Sequence, residues 1–69
     1  MKPEEIESGK TYLMESGRIL YVIGFPWGYN GEHVEYQQRL KSGKYGVSRR
    51  CLLKTFARKA LREVEVTAQ

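Results

Sequence analysis

The sequence predicts an α+β domain in which four to five short antiparallel strands form a small barrel or a strongly twisted sheet, covered by one C-terminal helix. Apolar residues alternate with polar ones, with tight turns between the runs, as far as Ser48, and from Cys51 onward they recur with helical spacing. The 69 residues form a single small domain, 1–69, near the lower size limit for one core without disulfides or metals. Residues 1–9 are expected to be a loosely ordered N-terminal segment.

Two strands and the turn between them are predicted in the first third of the chain. Residues 11–14 give the first strand, residues 15–17 the turn, and residues 18–25 the second strand. Apolar residues occupy both faces of the second strand, with Ile19, Tyr21 and Ile23 on one face and Leu20 and Val22 on the other. Because neither face is polar, this strand is predicted to be covered on both sides.

Two further strands follow, separated by a polar turn. Residues 33–40 alternate cleanly, with Val34, Tyr36, Gln38 and Leu40 on one face and His33, Glu35, Gln37 and Arg39 on the other. This pattern is typical of a half-buried strand. The turn at KSGK leads to a fourth strand at 44–48, in which Tyr45 and Val47 are expected to point inward.

The hydrophobic period becomes that of a helix after Ser48, and residues 51–63 are predicted to form it. The apolar face, expected to pack on the sheet, consists of Leu53, Phe56, Ala57, Ala60, Leu61 and Val64. A different face carries the basic stripe, which is Lys54, Arg58 and Arg62 at intervals of four residues. The following VEVTA segment, 64–68, is a candidate for a short fifth strand.

The order of these segments carries a family resemblance. SGKTY, SGRILYVIGF and EHVEYQQ, followed by a turn and a helix beginning LLKTFARKA, resemble short uncharacterised bacterial and phage proteins with an SH3-like small β-barrel. The resemblance covers most of the chain. It implies an SH3-like fold and a cytoplasmic protein that a phage or other mobile element could encode. It implies no site residues.

Positive charge is concentrated in one segment of the chain, whose net charge is +4. Residues 39–62 contain no acidic residue and nine basic ones, which are Arg39, Lys41, Lys44, Arg49, Arg50, Lys54, Arg58, Lys59 and Arg62. The basic stripe holds two like-charge pairs four residues apart, each costing about 0.2–0.5 kcal/mol on an isolated helix. Arg49 and Arg50 add cations near the helix start, where the helix dipole disfavours them. This arrangement favours a surface for an anionic partner, and the alternative is a plain solvated face.

The stretch GFPWGYNGE at 24–32 places three aromatic residues in a predicted loop. In one interpretation, Phe25 and Trp27 fold back over the open end of the barrel and belong to its core. In the other, Trp27 and Tyr29 stand at a hairpin tip that Pro26 stiffens, where they could stack on bases, bind a cation or grip a peptide.

Catalytic and metal-binding motifs are missing from the sequence. Its one cysteine, Cys51, and its one histidine, His33, are predicted on different elements without an orienting acid. One cysteine and one histidine do not make the usual structural zinc sets. The chain is therefore predicted not to be an enzyme and to hold no metal or cofactor. Cys51 is expected to be a small buried hydrophobe, and His33 a surface strand residue.

The sequence thus predicts a non-catalytic, cytoplasmic binding module, since it shows neither a signal segment at its acidic start nor an apolar run of about 18 residues. The leading partner is nucleic acid, DNA or RNA, bound with weak sequence preference. The candidate binding residues are Lys54, Arg58, Arg62, Arg49, Arg50, Lys41, Lys44, Trp27 and Tyr29. The alternative is a regulator or inhibitor that docks an acidic protein through the same face, or that pairs an exposed strand edge with a partner.

Overall fold

The structure is a computed structural model and describes residues 1–28 and 32–65. A short 3-10 helix, Pro3–Glu5, precedes the regular elements. These elements are β1 (Thr11–Met14), β2 (Ile19–Gly24), β3 (His33–Arg39), β4 (Tyr45–Leu52), α1 (Leu53–Lys59) and β5 (Ala60–Val64). The predicted strands at 11–14, 18–25 and 33–40 are confirmed.

The five strands form one antiparallel sheet in the order β4-β3-β2-β1-β5. Strands β1 to β4 are consecutive neighbours, and the chain then passes through α1 so that β5 pairs with the other side of β1. The α+β class and the packing of one helix on a small sheet are confirmed. The sheet is not closed into a barrel. Within the described residues, β4 and β5 are its opposite edges and are not hydrogen-bonded to each other.

Two hairpin turns share one geometry, and both were expected from the sequence. The amide of Gly17 donates to the carbonyl of Met14, and the amide of Gly43 donates to the carbonyl of Leu40, both at 2.9 Å. Gly17 and Gly43 have φ of 89° and 88°. A residue without a Cβ adopts this left-handed conformation easily, which is why glycine ends each three-residue loop.

The fourth strand is longer than predicted and faces differently. It was expected at 44–48, but it continues to Leu52 because its second half pairs with β3. The inward placement of Tyr45 and Val47 is wrong, since these side chains are 43% and 73% exposed. Tyr45 lies opposite Arg39, on the side of the sheet away from α1, and Val47 belongs to an edge strand that the short helix leaves uncovered at this end.

The helix is shorter than the predicted 51–63. It ends at Lys59, and Ala60 has the extended dihedrals φ −78° and ψ 127°. Ala60–Val64 instead forms β5, so the fifth strand begins four residues before the predicted one. The helical propensity of Ala, Leu, Arg and Glu is overridden here, because β5 supplies hydrogen-bonding partners for the edge of β1.

The core lies between the sheet and α1. Its buried hydrophobic residues are Ile6, Tyr12, Met14, Leu20, Val22, Val34, Leu53, Phe56, Ala57 and Ala60. The predicted inward positions Leu53, Phe56, Ala57 and Ala60 are therefore confirmed. Leu61 was expected on this face and is 57% exposed. The pairing shifts between Leu13 and Met14, so Leu61 is the extra residue of a β-bulge.

The segment before β1 contributes to this core. The sequence predicts that this segment, residues 1–9, is loosely ordered. Ile6 is fully buried. The Tyr12 hydroxyl accepts a hydrogen bond from the Glu7 amide at 2.8 Å and donates one to the Glu5 carbonyl at 3.2 Å. These contacts hold the segment against the sheet beside α1.

Candidate functional site

The two faces of the sheet differ in how well they are covered. Directly paired residues of neighbouring strands point to the same side, so the strand register assigns each side chain to a face. The inner face, toward α1, carries Tyr12, Met14, Leu20, Val22, Val34, Tyr36, Gln38, Arg49 and Cys51. The outer face carries Thr11, Leu13, Ile19, Tyr21, Ile23, His33, Glu35, Gln37, Arg39, Tyr45, Ser48, Arg50, Leu52, Arg62 and Val64.

Strand β2 is fully covered on one face only, although the sequence predicts that both faces are covered. Leu20 and Val22 are buried on the inner face, whereas Ile23 is 40% exposed on the outer face. Ile19 and Tyr21 are only half-buried. Alternation with apolar residues on both faces predicted burial on both, but the single helix and the N-terminal segment pack on one side only.

Pairing places one row of side chains across the whole outer face. From β5 to β4 the row is Arg62, Leu13, Ile19, Arg39 and Tyr45. Arg62 and Arg39 therefore lie on either side of two apolar residues, Leu13 and Ile19. The Tyr45 ring lies at the β4 end of the row. Because Arg39, Tyr45 and Arg62 come from three different strands, no linear motif joins them.

Two tyrosines contact each other on this face. The rings of Tyr21 and Tyr45 have centroids 5.5 Å apart and are tilted by 55°. Tyr45 is 43% exposed and Tyr21 is half-buried. Together they form an aromatic surface beside Arg39 that is open to solvent.

A second aromatic group lies where β2 leads into the loop. Pro26 and Trp27 occupy a turn that the Gly28 amide closes by donating to the Phe25 carbonyl at 2.9 Å. Trp27 is 59% exposed, which favours the hairpin interpretation for this ring, while Phe25 packs against the core. The remaining residue of the predicted tip, Tyr29, lies outside the described residues.

The Trp27 ring has a cation and an imidazole beside it. The Arg50 guanidinium lies 5.2 Å from the Trp27 ring centroid, within cation–π range. The His33 ring meets Trp27 edge to face at 4.9 Å. Glu35 lies 3.9 Å from Arg50, a loose and largely exposed ion pair that contributes little stability. The outer face thus carries aromatic and cationic groups at both of its ends.

Comparisons with protein-family models, with curated proteins and with solved structures give no match for this chain. Among residues 1–28 and 32–65, no helix is long and apolar enough to cross a membrane.

The basic stripe is broken by the fold. Lys54 and Arg58 are exposed on α1, but Arg62 lies on β5 and belongs to the outer face of the sheet. Arg49 and Arg50 precede the helix start at Leu53, but they belong to a strand. Both lie within β4, where Arg49 is paired with an inner-face residue and Arg50 with an outer-face one.

The predicted basic residues therefore separate into four groups. Lys54 and Arg58 lie on the helix, Arg50 and Arg62 on the outer face, and Arg49 on the inner face of the edge strand. Lys41 and Lys44 are exposed at the β3–β4 turn. This turn adjoins Arg39 and Tyr45, so the two lysines extend the positive charge at that end of the outer face.

Three residues of this surface were missed by sequence reasoning, namely Tyr21, Arg39 and Tyr45. Tyr21 and Tyr45 were assigned to the interior because they fit an alternating apolar pattern. The signal that separates them is chemical, since tyrosine carries a hydroxyl and suits a half-exposed position better than leucine or valine does. Arg39 became part of the site only through the β2–β3 register.

The single cysteine and histidine do not form a reactive pair. His33 faces outward and Cys51, paired with Val34, faces inward, so the sheet separates them. Cys51 is half-buried rather than buried, and burial raises the pKa of its thiol, while the charge of Lys59 acts in the opposite direction. Within the described residues no three metal-ligating side chains come together.

Proposed function

We propose that this protein is a non-catalytic module that binds single-stranded nucleic acid in the cytoplasm, and that the outer face of its sheet is the binding surface. The observation that carries the proposal is the contact between Tyr21 and Tyr45 on an open sheet face, beside Arg39 in the register. Exposed aromatic rings with interspersed cations suit a ligand that offers both flat bases and phosphates.

Each group has a distinct part in this proposal. Tyr21, Tyr45 and Trp27 offer ring faces or edges on which unpaired bases stack, each stack contributing about 1–3 kcal/mol. Arg39 and Arg62 meet phosphates, and the exposed Lys41 and Lys44 extend that path past the β3–β4 turn. Stacking on a ring accepts any base, and phosphates carry no sequence information. Weak sequence preference is therefore expected.

Single strands fit this surface better than a duplex does. Bases in a duplex are already stacked and paired, so the tyrosine rings would have nothing to contact. The phosphates of a duplex would still attract the arginines, which predicts weaker and more salt-sensitive duplex binding.

Fluorescence anisotropy with labelled oligo-dT, oligo-U and a duplex of equal length tests this proposal. The double substitution Tyr21→Ala with Tyr45→Ala removes both rings and should weaken single-strand binding about tenfold or more. The matched control, Tyr21→Phe with Tyr45→Phe, keeps the rings and should bind like the parent. If the alanine variant is folded and binds as tightly as the parent, the outer face is not the interface.

An SH3-like relationship of the fold is a further part of the proposal. It is supported by the consecutive hairpins of β1 to β4 and by the return of β5 to β1 after a short helix. An experimental structure with hydrogen bonds between β4 and β5 would establish a closed barrel, and one with both edges open would argue against it.

A second candidate function is pairing of the β4 edge with a strand of a partner protein. Strand β4 has eight residues, Val47 on it is 73% exposed, and β3 is its sole sheet neighbour in the described residues. Such an edge offers backbone groups for strand addition. Val47→Pro blocks that pairing, so it should abolish capture of a protein partner while leaving oligonucleotide affinity unchanged.

A further inference from the structure

A cleft opens on the inner face of the sheet, beside α1. Its volume is about 660 Å³, and its floor is formed by Met14, Leu20, Tyr36, Cys51 and Phe56. The helix has only seven residues and does not cover the whole sheet. Tyr36 and Cys51 are therefore half-buried where they line the cleft, whereas Met14, Leu20 and Phe56 are almost fully buried beneath it. Small-molecule sites are typically cavities of about 300–1,000 Å³ that are lined by apolar and aromatic side chains.

The rim of the cleft is charged. Arg18 and Lys59 line it together with one acid, Glu15. Within the described chain, neither Arg18 nor Lys59 lies in an ion pair with a carboxylate. The Glu15 amide donates to the Lys59 carbonyl at 2.8 Å, which ties the β1–β2 turn to the end of α1 and holds the two sides of the rim together.

The positive charge of Lys59 acts on Cys51, which lines the cleft. Burial raises the pKa of the Cys51 thiol, and the positive charge of Lys59 opposes this shift. Because Lys59 also lines the cleft, its positive charge favours an anion there.

We propose that this cleft binds a small amphipathic anion, with an acyl or aryl body and one carboxylate. The apolar body lies against the half-buried Tyr36 and Cys51, above the core residues Leu20 and Phe56, where it leaves water. The carboxylate meets Arg18 and Lys59 at the rim, where charge-assisted hydrogen bonds orient it.

This site is independent of the proposed nucleic-acid surface. Leu20 points into the cleft, whereas its neighbours Ile19 and Tyr21 point to the outer face. Loss of one activity therefore need not affect the other, and each can fail separately.

Decanoate is a suitable probe, and Cys51 is a built-in reporter because it is the only cysteine of the chain. Decanoate below its micelle concentration should give a saturable isotherm in calorimetry and should slow the reaction of Cys51 with a disulfide reagent. Decyltrimethylammonium has an alkyl chain of nearly the same length and the opposite charge, and it should bind about tenfold more weakly or worse. Equal binding of the two, or no saturable decanoate binding at millimolar concentration, would overturn the proposal.

Two substitutions that change the net charge by the same amount distinguish a contact at the cleft rim from a general electrostatic effect. Lys59→Glu should weaken decanoate binding about tenfold or more, whereas Lys54→Glu, on the same helix but outside the cleft, should change it little. Thr55→Trp fills the cleft and should abolish both binding and the protection of Cys51. Circular dichroism establishes that each variant is folded. If Lys59→Glu and Lys54→Glu have the same effect, the cleft is not the site.

Discussion

The ring of Phe56 meets the ring of Tyr12 edge to face, with centroids 5.9 Å apart and planes at 90°. Phe56 also contacts Tyr36, whose ring centroid is 5.6 Å away. One helical side chain therefore joins α1 to both β1 and β3. Phe56 is 2% exposed and Tyr12 fully buried, so this contact is at the centre of the core.

Phe56→Ala should lower the free energy of unfolding by about 3–5 kcal/mol, because it removes a large buried ring and leaves a cavity. In a domain of this size that loss unfolds a large part of the population. Urea unfolding followed by circular dichroism measures it. A loss below about 1 kcal/mol would mean that the helix does not pack through this residue.

Tyr12→Phe tests the hydroxyl that binds the N-terminal segment. Burial raises the pKa of this hydroxyl above its ordinary value of about 10. The unfolded chain therefore loses the proton first as pH rises, so the hydroxyl's contribution to stability is present below about pH 10 and is lost as pH rises through the folded pKa.

The variant should consequently be about 1 kcal/mol less stable near neutral pH, since it lacks the two hydrogen bonds to the segment. Its stability should fall less than that of the parent when the pH is raised above about 10. Urea midpoints across that range measure the difference. Parallel curves for the two proteins would contradict the role given to Tyr12.

Leu61→Ser distinguishes the observed fold from a longer helix. Leu61 is 57% exposed in the bulge of β5, so the change should alter stability by less than about 0.5 kcal/mol. A buried leucine on a helix extending to residue 63 would lose several times more. Leu53→Ala, at a buried position, serves as the comparison and should cost about 2–5 kcal/mol.

Leu61 also illustrates what limits prediction of this fold. The strands and turns follow from local chemistry, since alternation sets β1 to β3 and glycines at positions 17 and 43 set the hairpin loops. The end of α1 does not, because residues 60–63 are good helix formers. They become a strand only because β1 has a free edge to pair with, and this long-range competition leaves no mark in the local pattern.

The candidate surface was harder to predict than the fold for a related reason. Local periodicity placed Lys54, Arg58 and Arg62 on one helix face, and the early end of α1 separates the last from the other two. The placement of Arg39, Tyr45 and Arg62 in one row across the sheet depends on the register of four strand pairs. Trp27 is a candidate already from the sequence, because its turn residues are adjacent in the chain, and its ring is exposed.

Trp27 is the only tryptophan of the chain, so fluorescence excited selectively in tryptophan reports on it alone. Because the ring is 59% exposed, the free protein should show the emission of a wet indole and strong quenching by acrylamide. Saturating oligo-dT should shift the emission and reduce the quenching, since a stacked base shields the ring. Shielded emission in the free protein, or no change on binding, would remove Trp27 from the interface.

Charge reversal on opposite sides of the molecule locates the nucleic-acid surface. Arg39→Glu with Arg62→Glu alters the outer face, and Lys54→Glu with Arg58→Glu alters the helix by the same change in net charge. Each phosphate contact on a single strand contributes about −0.7 to the slope of log K against log salt. Loss of two contacts should therefore make the slope of the outer-face variant about 1.4 shallower.

The helix variant should keep the parental slope and lose affinity only through the general change in charge, because Lys54 and Arg58 face away from the aromatic surface. All exchanged side chains are exposed or half-buried, and urea unfolding should show both variants folded. The opposite result, with a shallower slope for the helix variant alone, would assign binding to the helix and contradict the outer-face proposal. If both variants bind oligo-dT like the parent at every salt concentration, phosphate recognition by either surface is excluded, and pairing at the β4 edge becomes the function to test.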